Sequence, residues 1–367
     1  MKQLLVIAIA LTSVNAFATR ARMNALANAP HLTDTQSIYG QPTDVFAIGS
    51  DFASLESGVA TDTVAAPAVA GANAEGMILR SMGDSKVGVA LGHQSMGALR
   101  GQLLAAPVIK QQNPIELIYG MKNGDMNLAG ILVYSNYNDK TPGLAAGTIV
   151  KESSTALRLG ASSGPWVATL SLGLVNTAQD FAGNKFTGSS DMNFDGNYML
   201  NDIFWFVNLN TSVGKTESAA GVETGKVTNG MNWKLGALHS HKKDANELFY
   251  SIALESSDTK TAGTPDTKTT ALKLPITIGV EVDAASWLTV RGSVSQSTFI
   301  ANSKTSAATT TAELAPGANT TTVAVGAGLK FNKLTLDGAL LQTAAGAAGQ
   351  SVNTANLLAQ VGATYWF

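Results

Sequence analysis

The sequence predicts an all-β protein, a transmembrane antiparallel up-and-down β-barrel of about 16 strands, with 14 to 18 compatible with the pattern. Three observations predict it. Apolar residues recur at every second position in segment after segment, the period of a strand with one greasy face. Short polar turns alternate with long stretches rich in Ala, Thr, Gly and Ser. Beyond residue 18 no uninterrupted apolar run reaches the ~18 to 20 residues of a membrane helix. A membrane-resident chain of this kind must close a barrel so that every backbone polar group is paired.

The chain opens with "MKQLLVIAIALTSVNAFA", in which Lys2, the apolar run Leu4 to Leu11 and the small residues Ala16 and Ala18 make a secretory signal peptide. Residues 1–18 are therefore expected to be removed after Ala18. The chain contains no cysteine, which excludes a lipid-modified cysteine and any disulfide framework. Charged residues make up 14% and the net charge is -2, too near neutrality to offer a broad field for nucleic acid. Residues 19–50 are neither signal nor obvious strand. "ARMNALANA" suits one short helical turn before Pro30, and Thr33 or Asp34 suits the cap of another. This segment is read as a periplasmic lead-in packed under the barrel, with a hatch at the mouth as the alternative.

The barrel is assigned to residues 51–367. Its turns are placed at Gly83 to Lys86, Asn123 to Asp125, Ser163 to Pro165, Asn201 and Asp202, Lys243 and Asp244, Ala284 and Ala285, and Asn332 and Lys333. Long loops are expected at 59–74, 94–113, 136–152, 175–192, 214–227, 257–268, 300–320 and 343–354. Seven hairpins plus one strand at each end give the count, the short turns facing the periplasm and the long loops the outside. Parity then assigns the faces. Ile115, Leu117, Tyr119 and Met121 form one row, and Leu272, Leu274, Ile276, Ile278, Val280 and Val282 another. A charge facing lipid at mid-membrane costs ~2 to 4 kcal/mol, so the charged rows are expected to line the interior. The pore-lining candidates are Arg80, Glu116, Lys122, Arg158, Lys234, Glu247, Glu255, Lys273, Glu281, Asp283, Arg291, Lys330 and Asp337, with bases and acids nearly balanced. Pro275 lacks a ladder donor and is expected to force a bulge.

Tyr119, Trp166, Tyr198, Trp205 and Phe331 lie near short turns and on the apolar parity, as an interfacial aromatic girdle requires. Trp287 and Trp366 fall on the inward parity and do not fit it. The chain ends on "LLAQVGATYWF", with Ala359, Val361, Ala363, Tyr365 and Phe367 on one face.

These features resemble the outer-membrane β-barrel porins of Gram-negative bacteria. In that group a terminal strand of this pattern is the signal read by the barrel-assembly machinery, a role the resemblance implies for Ala359, Val361, Ala363, Tyr365 and Phe367. The stretch "RARMNALANAPHLTDTQSIYGQPTDVFAIG" is further similar to the mature N-terminus of porin-like major outer-membrane proteins of predatory bdellovibrios. The expected third loop, "NYNDKTPGLAAGTIVKESS", lacks the Pro-Glu-Phe-Gly-Gly stretch of enteric general porins, so the resemblance does not extend to their constriction and trimeric assembly.

Catalytic and metal chemistry is weakly represented. His239 and His241 sit as "HSH" beside a turn, a spacing read as interfacial side chains in preference to a metal pair. His31 and His93 stand alone in sequence, and His93 has Ser95 nearby but no close acid. The glycine-rich fragments "AVGAGLKF" and "TAAGAAGQ" lack the lysine of a phosphate loop. No enzyme activity, cofactor or metal is expected. The reading is a water-filled porin for passive diffusion of small hydrophilic solutes and ions, in contact with outer-membrane lipid and lipopolysaccharide, and compatible with a homo-oligomer. The alternatives are a substrate-selective or lipid-handling barrel and a structural or surface-interaction barrel. Phe204, Phe206 and Phe249 on the inward parity keep both open.

Overall fold

Strand pairing follows chain order in the computed structural model, which describes residues 19–58, 73–93, 111, 113–139, 150–180, 183–262, 266–307, 310–313, 319–345 and 360–367. The first strands are β1 (Phe52–Gly58), β2 (Asn73–Met82), β3 (Ser85–Leu91), β4 (Ile115–Asn123), β5 (Met126–Asp139), β6 (Val150–Ser163) and β7 (Trp166–Gln179). The long staves are β8 (Lys185–Leu200), β9 (Ile203–Glu217), β10 (Glu223–Lys243), β11 (Asn246–Ala262), β12 (Thr267–Ala285) and β13 (Leu288–Ala307). They are followed by β14 (Thr310–Glu313), β15 (Thr320–Phe331), β16 (Leu334–Ala345) and β17 (Gln360–Trp366).

Every pairing is antiparallel, and β1 closes the sheet by pairing with β2 on one edge and with β17 on the other, Phe52 opposite Trp366 and Gly58 opposite Gln360. Closure leaves no free sheet edge, the condition for a sheet to survive in lipid. Strand β14 pairs with the end of β13, beyond the part of β13 that pairs with β15. Of the 17 strands among the described residues, the 16 others form the wall.

The turns read from sequence fall between strands, with one shift: the turn expected at Ala284 and Ala285 lies at Ser286 and Trp287. Non-glycine residues accept positive φ where the tight hairpins demand it, at Asn201, Asp202, Asp244 and Asn332. The long loops are shorter than expected on one side of the barrel. Strands β7 to β12 continue through much of the stretches assigned to loops at 175–192, 214–227 and 257–268, leaving only residues 180–184 between β7 and β8. Their Thr and Val residues suit an extended ladder. The β7–β8 turn is held by Asp180, whose carboxylate accepts from the backbone N–H and side-chain amide of Asn184 at 2.9 Å each. At Pro275 the register with β13 is continuous, and the expected irregularity lies at Leu272/Lys273. Pairing with β11 lapses beside the proline and resumes in the same register.

The outward rows carry large apolar side chains in the open, among them Leu117, Tyr119, Ile278 and Val325. Trp166 stands opposite Tyr198, and Tyr198 opposite Trp205, so three of the girdle residues form a continuous band across β7, β8 and β9. Tyr119 and Phe331 are exposed on the same face. Trp287 is exposed in its turn, whereas Trp366 points inward, buried against Phe52 with its indole N–H donated to Thr335 Oγ1 at 3.2 Å.

The terminal row Val361, Ala363, Tyr365 and Phe367 lies outward, and Ala359 is outside the described residues. Phe367 is pinned by its backbone N–H to the Asp51 carbonyl at 3.0 Å, and its ring packs edge-on against Tyr365. Deleting Phe367 is expected to lower folded barrel yield while sparing synthesis. Heat-modifiable migration on gels checks this, and normal folded yield would refute it.

Candidate pore and its N-terminal filling

The inner wall is where residues 19–48 lie. This segment forms α1 (Arg20–Ala25), α2 (Ser37–Gly40) and a 3-10 turn at Pro42–Val45, none long enough to hold itself together in water. Tertiary contacts hold it instead. Each set of contacts reaches residues of the inward parity, so the segment sits within the barrel.

Three sets of polar bonds fasten it. Arg20 donates its backbone N–H to Glu56 at 2.8 Å and its guanidinium to Glu75 at 2.6 Å, while the Gln36 amide bonds both carboxylates. Arg22 grips Glu281 through two nitrogens, at 2.8 and 3.1 Å, and reaches Asp34 at 3.2 Å. Glu281 is shared with Arg291, which also pairs with Asp337, so two guanidiniums and three carboxylates form one buried network. His31 Nε2 meets Glu247 at 2.8 Å with its ring edge-on to Phe249. Buried charges are tolerated only when paired and hydrogen-bonded in this way.

Apolar packing completes the seat. Ile38, Tyr39, Val45 and Ile48 bury against Phe52, Leu79, Ile118, Ile131 and Val133 of β1 to β5. Leu26, Ala29 and Leu32 bury against Phe206, Leu238, Phe249 and Ala253 of β9 to β11. Fully burying such a side chain contributes about 1.5 to 3 kcal/mol. Close approach is permitted by missing side chains on the wall. A Cβ on Gly362 would collide with Thr19, and one on Gly326 would lie 2.7 Å from the Ala25 methyl.

The sequence-assigned lining residues separate into groups. Glu116, Arg158, Glu281, Arg291 and Asp337 face inward and are buried, and Glu247 faces inward on His31. Glu116 is fully buried between Arg158 at 2.8 Å and His93 at 2.7 Å, and His93 in turn stacks on Tyr39 of the segment at 3.6 Å between ring centres. Lys330 and Asp283 pair with each other at 2.8 Å. Lys122 lies over Phe46 of the segment, and Lys234 over Phe206. Glu255 and Lys273 stand opposite one another on β11 and β12. Arg80 is the correction: it lies on the outward row beside a short turn, its guanidinium on Asp51 at 3.0 Å and over the Phe367 ring at 5.4 Å. At the interface a long side chain can keep its charge wet, so the lipid-exclusion argument loses force there. His239 and His241 share the outward parity, His239 beside the Tyr250 ring.

Between the segment and strands β4 to β9 remains a cavity of ≈ 310 Å³, lined by Pro30, Thr33, Asp44, Lys122, Asn127 and Phe204 among others. Asp44 is buried with the Ser37 hydroxyl as its partner, and burial pushes its carboxyl up to about 7 against that hydrogen bond. The folded value exceeds the unfolded ~3.9, so between those values the seated segment binds more protons than the unfolded chain. Its stability is full below about pH 4 and falls as pH rises to about 7. Asp44→Asn is expected to narrow the difference in thermal stability between about pH 5 and about pH 8 by raising the value at the higher pH. An unchanged difference would refute the assignment.

The sequence reading preferred a lead-in packed under the barrel, with a hatch as the alternative, and did not name the wall residues that form the seat. The signal was present in the inward apolar residues Leu79, Ile118, Ile131 and Val133, which a water-filled lumen does not need. No family model and no curated protein matches the chain. Among solved structures it is similar to a loop L8 deletion mutant of OmpT, an outer membrane protein of Vibrio cholerae, at 10% identity over 86% of this chain and 97% of that one, TM-score 0.40. It is similar to a porin at 11% identity over 86% and 99%, TM-score 0.39. It is also similar to the CymD monoaromatic hydrocarbon channel at 10% identity over 95% and 97%, TM-score 0.43.

Proposed function

We propose that this chain is an outer-membrane channel that passes small hydrophilic solutes through a lumen narrowed by its own N-terminal segment, and that it performs no catalysis. The observation that carries the reading is the seat of residues 19–48 on the inner wall, with polar side chains left facing the lumen beyond it. A barrel of about 16 strands is wide enough to hold an aqueous channel unless something fills it. The cavity of ≈ 310 Å³ beside the segment favours a narrowed, selective passage over a wide general pore. Nearly balanced inward charges, several of them paired, support weak ion selectivity, since opposed charges largely cancel beyond ~8 Å at physiological salt.

The same reading places the chain in the outer membrane of a Gram-negative bacterium after removal of residues 1–18, which lie outside the described residues. It includes assembly through the terminal strand, contact with lipid and lipopolysaccharide, and the narrower likeness to bdellovibrio proteins. Reconstitution of the purified protein tests it: discrete, stable openings in a planar bilayer and uptake of a small neutral solute into liposomes are expected. An electrically silent barrel that admits no solute would overturn the reading in favour of a structural role.

A further inference from the structure

The wall left open by the segment has its own chemistry. The polar bonds and apolar contacts of residues 19–48 fall on β1 to β6, on β9 to β13 and on β15 to β17. Beside these contacts, the inward rows of β8, β9 and β10 carry amides. Asp195 stands opposite Asn208, Asn193 opposite Asn210, and Asn210 opposite Asn232, so the side chains meet across three adjacent strands.

They are bonded into a ladder. Asn193 donates to Asp195. Asn208 donates to both Asn193 and Asp195 at 2.7 Å, Asn210 to Asn208 at 3.1 Å and Asn232 to Asn210 at 3.2 Å. The backbone N–H of Asp258 then closes on Asn232 at 2.7 Å. An amide has two N–H donors and two acceptor sites. In these bonds Asn193, Asn210 and Asn232 each use one donor and one acceptor site, leaving one of each. All are half-buried, their remaining groups available to the lumen. Among the described residues no Lys or Arg forms an ion pair with Asp191 or Asp195.

Backbone irregularities mark the same level. Register shifts occur where β7 passes Thr155/Ala156 of β6, at Ser189/Met192 of β8 and at Asn229/Asn232 of β10. Bulges re-aim side chains and are over-represented next to functional sites. Three adjoining the ladder is a second observation, independent of its composition.

We infer that the amide ladder of β8 to β10 is the solute track of the channel, and that it selects uncharged polyhydroxylated solutes of the sugar type. This rests on the channel reading above and names its substrate class. A hydroxyl donates and accepts at once, so a polyol matches rungs that each present one donor and one acceptor. An anion sheds hydration there without a counter-charge, and an apolar solute leaves the amides unpaired; both are penalised. Asp191 and Asp195, which face no Lys or Arg among the described residues, add a bias against anions.

The test uses the full-length protein in liposomes and planar bilayers, with a neutral pentose, gluconate and potassium chloride as probes. Pentose entry is expected to exceed gluconate entry, and the double variant Asn210→Leu with Asn232→Leu is expected to cut pentose flux at least about threefold relative to potassium chloride conductance. Folding is checked by heat-modifiable migration. Should the double variant fail to fold, Asn210→Asp decides: the pentose-to-salt ratio falls and cations gain over anions. Salt conductance without pentose entry, or a ratio unmoved by a folded variant, overturns the inference and leaves the channel standing. Failure of both salt and pentose to pass overturns the channel reading as well.

Discussion

Deleting residues 20–48 is expected to raise single-channel conductance several-fold while the barrel still assembles. The wall closes through β1, β2 and β17 with backbone bonds that do not involve the segment. Removal exposes Glu56, Glu75, Glu247, Glu281 and Glu116 to water, where a carboxylate is no longer penalised by burial. The inward apolar patch of Leu79, Ile118, Ile131 and Val133 would be wetted as well, so thermal stability should fall even as the pore widens. Conductance and melting are read on the same preparation. A deletion that leaves conductance unchanged would place the segment outside the permeation path.

Arg22→Ala is expected to have the largest effect of any single substitution in the segment. Arg22 is one of two guanidiniums among three carboxylates, so its loss leaves Glu281, Asp34 and Asp337 facing Arg291 alone. It also removes the bond to the Thr33 carbonyl at 3.2 Å. Breaking a buried pair from one side costs about 3 to 5 kcal/mol, because the abandoned charges stay buried. The segment should therefore unseat well before the wall melts. Limited proteolysis would then cut after residues 19–48 in the variant and spare the parent, with conductance drifting toward that of the deletion. Equal protease resistance in the two proteins would refute the role given to this network.

How far the sequence disclosed this arrangement follows from which constraints are local. The wall was legible because period-two alternation and hairpin chemistry act within a few residues: Tyr119, Trp205 and Val325 face out for reasons visible in their own strands. Strand ends on the long-loop side were less legible, since Thr-rich segments of β9 to β13 continue pairing where composition alone suggests loop. The seat was hidden because its partners lie far apart in sequence, Arg22 from Glu281 and Asn24 from Gln360. What the sequence did show was an anomaly. The run Ile131, Leu132, Val133, Tyr134 in β5 is apolar on both faces, the pattern of a strand buried twice. His31 and His93 looked isolated for the same reason: their acids, Glu247 and Glu116, come from other strands. The amide ladder escaped notice because asparagines scattered through β8, β9 and β10 become neighbours only once the register is known.

The central claim, that residues 19–48 occupy the lumen, is tested most directly by cross-linking. The chain has no native cysteine, so a pair of introduced thiols reports without background. The Ala25 carbonyl accepts a hydrogen bond from the Ser293 hydroxyl at 2.9 Å, deep on the inner wall of β13. Ala25→Cys combined with Ser293→Cys, in protein folded in outer membranes, should form an intramolecular link on mild oxidation or with a short thiol cross-linker, detected as a shifted band and a joined peptide by mass spectrometry. A segment lying beneath the barrel would give no link between these positions, with both thiols modified separately, and that result would contradict the account.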